Sequence, residues 1–218
     1  MLNTSTRRVV GRSTMPGMAT QAPKRMTRDD RRASLIAAAA RALIARPGER
    51  LTFDAMAAEA GVSATLPYKY FDSIEDITLE LYTATVADVD AATDELLADP
   101  DRSFDDKVRR AFLLWCNQVE RDDYLFVRLA EGANATGLAR AVHRRRERIV
   151  QVWAEQIEAE FGLDTSTARL VSASVTSGAS ALVQRVFTDR LDREMVADRL
   201  VDLARAQGEA AQQVDSRR

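Results

Sequence analysis

The stretch TFDAMAAEAGVSATLPYKYF, residues 52–71, decides how this chain of 218 residues folds. Thr52 is a good helix N-cap, and the residues up to position 60 favour a short helix. Gly61 stands where a helix needs a residue with positive φ in order to end. Ser63 is a second candidate cap, for a helix at about 64–70. Two short helices joined by a tight turn form a helix-turn-helix, whose second helix can enter the major groove of DNA.

The residues on either side of this stretch predict more helices. From Asp30 onward, apolar residues fall on one helical face, and Pro47-Gly48 ends that helix. After residue 73, apolar side chains recur at helical spacing near 74–98, 103–120, 124–133, 138–161, 165–188 and 192–207. Since no segment between 28 and 207 has the pattern of a strand, we predict an all-α protein.

Four segments follow from this pattern. We predict a disordered basic arm over 1–27, a three-helix helix-turn-helix DNA-binding domain over 28–73, a larger helical ligand-binding and dimerisation domain over 74–207, and a flexible tail over 208–218. The arm carries five basic residues and no acidic one. Two interpretations of it stay open: a segment that reaches into a minor groove, or a solvated leader.

The charge is divided unevenly along the chain. Residues 1–72 carry 12 Lys or Arg and 6 Asp or Glu, a net charge of +6, whereas residues 73–218 carry a net charge of −8. A basic front favours a polyanionic partner, although small domains also differ in charge by chance. Cys116 is the single cysteine, so no disulfide forms within the chain. With neither a secretory signal nor an apolar run of about 20 residues, we expect a cytoplasmic protein.

Catalytic motifs are missing from the sequence. It contains no phosphate-binding loop, no G-x-S-x-G and no H-E-x-x-H. Cys116 and His143 alone are too few ligands for a zinc site. We therefore predict that the protein is not an enzyme and has no metal site and no cofactor.

Residues 31–82 resemble the DNA-binding domain of the TetR family of bacterial transcriptional regulators. The resemblance is carried by the Ala-rich first helix, Thr52, the turn Ala60-Gly61-Val62-Ser63 and, six residues later, Tyr70-Phe71. It implies a dimeric repressor that a small-molecule inducer releases from a palindromic DNA operator. The family's dimer interface corresponds here to the helices near 165–188 and 192–207, and the first of these is rich in small residues. Packing within one chain is the alternative for these two helices.

The resemblance also implies a DNA-binding set, namely Thr52, Ser63, Ala64, Thr65, Pro67, Tyr68 and Lys69. In it, Thr52, Tyr68 and Lys69 contact phosphates, and Ala64, Thr65 and Pro67 face the bases. Pro67 departs from the family pattern, because proline removes an intrahelical hydrogen bond and disfavours the helical region at the preceding residue. A helix that starts late, near Pro67, is therefore an alternative. The matching alternative for function is a TetR-like interaction protein with weak or lost operator binding.

A ligand pocket is expected where the apolar stripes of the long helices converge. The candidate lining residues are Phe112, Trp115, Cys116, Gln118, Phe126, Trp153 and Val175. A cavity lined by apolar side chains with a few polar groups is the usual form of a ligand site. The alternative is that these side chains form an ordinary hydrophobic core.

Overall fold

The computed structural model describes residues 26–46, 48–131 and 137–217. Every regular element within these ranges is helical, which confirms the all-α prediction. The helices are α1 (Arg28–Ala45), α2 (Phe53–Ala60), a short 3₁₀ helix (Pro67–Lys69), α3 (Ile74–Ala98), α4 (Phe104–Arg121), α5 (Leu125–Glu131), α6 (Gly137–Phe161), α7 (Thr165–Thr188) and α8 (Arg193–Asp215). Most of the arm predicted over 1–27 lies outside the described residues.

Side-chain caps fix where several of these helices begin. Thr52 accepts a hydrogen bond from the Ala55 amide at 3.1 Å, and Ser73 accepts one from the Asp76 amide at 3.1 Å. Each bond satisfies an amide that the first helical turn cannot pair internally. The sequence alone therefore located the start of α2 and of α3.

The helix-turn-helix domain has its own small hydrophobic core. Three alanines of α1, Ala38, Ala39 and Ala42, are buried in it together with Met56 of α2 and Phe71. Small side chains let α1 and α2 approach closely. An ion pair from Arg41 to Glu59 joins the same two helices at the surface.

The larger domain packs α4, α6, α7 and α8 around a second core. Ser172 of α7 is fully buried, and its hydroxyl donates to the Val150 carbonyl of α6 at 2.8 Å. Lys107 of α4 is also buried, and its ammonium donates to the Leu97 carbonyl at 2.9 Å and to Gln156 at 2.9 Å. This lysine therefore provides a hydrogen-bond donor for a carbonyl at the C-terminal end of α3 that has no partner within the helix.

The two domains are joined by a shared helix and by contacts between their helices. Helix α3 runs through both cores, with Ile77 in the small one and Leu81 in the large one. Arg128 of α5 donates to the carbonyls of Leu43 and Ile44, near the C-terminal end of α1, both at 3.4 Å. Within the same interface, the amide of Gly137 at the start of α6 donates to the side chain of Glu75 in α3.

The prediction of a flexible tail over 208–218 was wrong for most of that segment, which is helical. Helix α8 continues to Asp215, eight residues beyond the predicted end at 207. Gly208 is buried against the ring of Phe161, and Gln212 donates to the Phe161 carbonyl at 2.9 Å. These tertiary contacts stabilise two further turns whose sequence has few large apolar residues.

Among the helices described, none combines the length and the apolar character that crossing a membrane requires.

Gly208→Ala is expected to lower the free energy of unfolding by about 1–2 kcal/mol. A Cβ at this position would lie 2.5 Å from the Phe161 ring, which packs edge-on against Phe104 and has little room to move. Overpacking costs about 1–3 kcal/mol, against a gain of about 1 kcal/mol in helix propensity. Chemical denaturation measures the difference, with the exposed Glu209→Ala as control. A Gly208→Ala protein as stable as the parent would contradict this account of the α8 contact.

Candidate DNA-binding surface and ligand cavity

The turn of the helix-turn-helix has the geometry that its sequence predicts. Gly61 has φ of +65°, in the left-handed region that glycine adopts readily. The amide of Val62 then donates to the Ala57 carbonyl at 3.0 Å, which ends α2 with hydrogen bonds of the Schellman type. Thr52 is exposed at the other end of α2. Because its oxygen accepts from the Ala55 amide, its hydroxyl hydrogen remains free to donate to a phosphate.

The second helix of the motif differs from the prediction. No α-helix forms over 64–70, and Ser63 does not act as its cap; its hydroxyl lies 3.3 Å from that of Thr65 instead. The Leu66 amide donates to the Ser63 carbonyl at 2.9 Å, and the 3₁₀ helix follows from Pro67. The physical reason is Pro67, since an α-helix capped by Ser63 would need a Pro67 amide to donate to the Ser63 carbonyl.

Pro67 itself is fully buried, so it does not face solvent where DNA would lie. Its assignment as a base-contacting residue was therefore wrong, and its role is to pack the 3₁₀ helix against the domain. The residues around it are exposed, with Tyr68 at 61% and Lys69, Ala64 and Thr65 also open to solvent. Six of the seven residues of the predicted set are thus exposed, namely Thr52, Ser63, Ala64, Thr65, Tyr68 and Lys69.

An aromatic contact holds part of this surface in place. The ring of Tyr68 packs against Phe53 of α2 with centroids 4.3 Å apart and ring planes tilted by 40°, so the phenol is oriented although it is exposed. By contrast, Arg32 of α1 is half-buried, pairs with Glu80 of α3 and lies 4.6 Å from the Phe71 ring centroid. Arg32 therefore links α1 to α3, and a carboxylate already balances its charge.

The larger domain contains a cavity of about 580 Å³ that is lined by residues of helices α3 to α8. This volume lies within the range of roughly 300–1,000 Å³ that is common for small-molecule sites. Five of the seven predicted lining residues are on its wall: Phe112, Trp115, Phe126, Trp153 and Val175. Apolar and aromatic side chains make up most of the wall.

Cys116 and Gln118 are not among the residues that line the cavity. They lie one position to either side of the wall stripe of α4, and both are buried elsewhere. Gln118 donates to the Thr85 carbonyl of α3 at 2.9 Å and also to Asp122. Their assignment as pocket residues was wrong because burial alone does not say which neighbouring helix a side chain faces.

Sequence reasoning missed the polar members of the wall. Asp90 and Tyr82 of α3 and Arg145, Arg146 and Arg148 of α6 line the cavity. Burial raises the pKa of the Tyr82 phenol, while the positive charges of Arg145 and Arg146 oppose that rise. The available signal was spacing: Val142, Arg145, Arg146 and Ile149 recur every three or four residues, hence on one face of α6.

A further polar group on the wall has an unmet hydrogen bond. The indole Nε1 of Trp115 is buried and has no acceptor in the part of the chain that the structure describes. A buried donor without a partner costs about 1–3 kcal/mol. In the same ranges, no group of three or more His, Cys, Asp or Glu side chains could hold a metal ion.

Comparison with known proteins agrees with this architecture. Residues 35–81 match the family model described as bacterial regulatory proteins, tetR family. A TetR-like transcriptional regulator from Rhodococcus sp. RHA1 is 22% identical, covering 85% of this chain and 99% of its own, with a TM-score of 0.71. A tetR-family transcriptional regulator from Streptomyces coelicolor is 21% identical, covering 88% of this chain and 86% of its own, with a TM-score of 0.69.

NalD, the secondary repressor of the MexAB-OprM multidrug efflux pump in Pseudomonas aeruginosa, is 16% identical. It covers 82% of this chain and 97% of its own, with a TM-score of 0.59. No curated protein matches the chain by sequence. Residues 35–81 are therefore similar to bacterial regulatory proteins of the tetR family, and the chain as a whole has the same fold as these solved structures.

Cys116 is expected to be inert in the folded protein. Burial raises the pKa of its thiol to about 11, although the charge of Arg193 opposes the rise. At pH 8 roughly one thiol in a thousand is then ionised, and the thiolate is the reactive form. A colorimetric thiol reagent at pH 8 should detect almost no thiol in the native protein and one per chain in denaturant. Rapid modification of the native protein would contradict the burial of this side chain.

Proposed function

We propose that the protein is a dimeric transcriptional repressor that a small molecule releases from a palindromic operator. The observation that carries the proposal is the combination of an exposed helix-turn-helix surface and a 580 Å³ cavity in one chain, joined by α3. Regulation of this kind is a coupling free energy between two sites.

The DNA-binding part of the proposal rests on the exposed hydroxyls and the lysine of the helix-turn-helix. Thr52, Tyr68 and Lys69 donate to phosphates and fix the register of the domain on the duplex. Ala64 and Thr65 face the bases, where their methyl groups suit the methyl group of thymine. Because the 3₁₀ segment presents few side chains to the groove, specificity draws in addition on DNA shape.

The dimer part of the proposal rests on an exposed apolar face of α7 and α8. Met195, Leu203 and Val214 of α8 are 44%, 38% and 52% exposed, and their separations of two and three helical turns put them on one face. On α7, Leu170 is 74% exposed in line with the small residues Ser174 and Ser177. A second copy would cover both faces, and two-fold pairing would present two half-sites a whole number of DNA turns apart.

The coupling part rests on contacts that link the cavity wall to the DNA-binding domain. Phe126 and Val127 of α5 line the cavity. The next residue, Arg128, donates hydrogen bonds to two carbonyls of α1. Helix α3 carries Tyr82 and Asp90 on the wall while its first turns belong to the small core. A ligand that moves α3 or α5 would therefore change the spacing of the two helix-turn-helix surfaces in a dimer.

One structural feature favours a second candidate, an interaction protein with weak operator binding. Pro67 reduces the recognition helix to a single 3₁₀ turn, which limits direct base readout. The two functions differ in sequence preference, since an operator binder keeps a large preference for its site over random DNA.

Selection from the host's own genome tests the proposal. The purified protein is incubated with fragmented genomic DNA, and the bound fraction is sequenced. We expect a shared inverted repeat whose half-sites lie about 34–36 Å apart or a multiple of that distance. Bound DNA without a common sequence would contradict the repressor and favour the interaction protein.

A pair of variants then examines the phosphate contacts. Lys69→Ala is expected to weaken binding to the selected repeat and to random DNA by a similar factor. The slope of the logarithm of DNA affinity against the logarithm of salt concentration should become shallower by about one. Arg144→Ala, which removes an exposed arginine from α6, serves as the control. If the Lys69→Ala protein binds DNA as tightly as the parent, Lys69 does not contact a phosphate.

Leu203→Arg is expected to separate the dimer into monomers. A charge in the centre of the α7–α8 face would be buried against the partner without a counter-ion, which is strongly unfavourable. Light scattering after size exclusion gives the mass, and operator affinity should fall with it. Glu209→Arg introduces the same side chain on α8 about a third of a turn away from Leu203 and should remain dimeric. A dimeric Leu203→Arg protein would place the interface elsewhere.

A further inference from the structure

The charges on the cavity wall are unequal. Three arginines of α6 line the cavity, namely Arg145, Arg146 and Arg148, against a single carboxylate, Asp90. A cavity wall that carries a surplus of positive charge favours a negatively charged occupant.

Asp90 is already neutralised by one of these arginines. The Nε of Arg145 lies 3.0 Å from both carboxylate oxygens, and its Nη2 lies 2.6 Å from Oδ1. The two side chains are 15% and 24% exposed, so this is the most buried ion pair at the cavity. Arg148 pairs with Asp94, which is not on the wall. A cationic ligand would therefore find no uncommitted carboxylate among the described lining residues.

Arg146 is the guanidinium that remains. It has no hydrogen bond or ion pair with any residue in the described ranges, and it is exposed at the rim of the cavity. Its charge nevertheless acts on the phenol of Tyr82, which is buried on the same wall. The cation is thus within electrostatic range of the interior while its donors remain available.

We propose that the cavity binds an amphipathic carboxylate, with its head group on Arg146 and its apolar body against Phe112, Trp115, Phe126 and Trp153. One uncommitted guanidinium balances one carboxylate, and its planar fork matches the two oxygens. The unmet Trp115 Nε1 donor further favours a ligand that carries acceptor atoms over a pure hydrocarbon. The proposal rests on the proposed function insofar as this ligand is the inducer.

Three probes with the same alkyl chain test the head group: decanoate, 1-decanol and decyltrimethylammonium. Calorimetric titration of the full-length protein, below the concentration at which the probes aggregate, is expected to show decanoate binding at least about tenfold more tightly than decanol. Decyltrimethylammonium is expected to bind most weakly. Arg146→Gln should abolish the preference for decanoate and leave the affinity for decanol unchanged.

Two further variants show whether the preference for decanoate depends on the positive charge at residue 146 or on any arginine of α6. Arg146→Lys should retain part of the preference, because it keeps the charge and loses the bidentate geometry. Arg144→Gln removes an exposed arginine that is not on the wall and should bind decanoate like the parent. Thermal unfolding of each variant shows whether its fold is retained.

Three results would overturn the proposal: an equal or tighter affinity for decyltrimethylammonium, a decanoate preference that survives in the folded Arg146→Gln protein, or binding of none of the three probes. Operator binding is measured separately. If decanoate binds and operator affinity does not change, the switch fails while the anion site stands. If a cationic compound releases the operator, the switch stands and the anion site fails.

Discussion

Helix α3 belongs to two hydrophobic cores at once, and the rest of the structure depends on this. Ile77 is buried with α1 and α2, whereas Leu81, Val86 and Val89 are buried in the larger domain. A helix is stiff along its axis because each backbone group bonds to another four residues away. A change at the cavity end of α3 is therefore expected to reach the small core as a movement of the whole element. Arg128 and Glu75 add two more contacts across the same boundary.

The helix boundaries that depend on local chemistry were predictable from the sequence. Thr52, Gly61 and Ser73 begin or end helices through hydrogen bonds to residues three or four positions away, so each can be identified without knowing the fold. The end of α8 was not predictable in this way. Its last turns depend on Phe161, which is distant in sequence and meets Gly208 only after the chain has folded.

The functional residues, like the helix boundaries, were predictable where they depend on local sequence and not where they depend on tertiary packing. The exposed helix-turn-helix residues follow from a local motif, apart from Pro67, whose burial is a tertiary property. On the cavity wall, aromatic spacing identified Trp115 and Trp153, but it did not separate Cys116 from its neighbours on α4. Arg146 lies in a run of arginines that resembles a solvated face, and its place on the wall depends on how α6 is rotated against α7.

The proposed regulation requires that the cavity and the DNA-binding surface are coupled. The most direct measurement is to titrate decanoate into the free protein and into the protein saturated with its selected inverted repeat, in the same buffer. Because coupling between two sites is reciprocal, we expect operator-bound protein to bind decanoate at least about fivefold more weakly than free protein. The same affinity in both states would show that the two sites are not coupled.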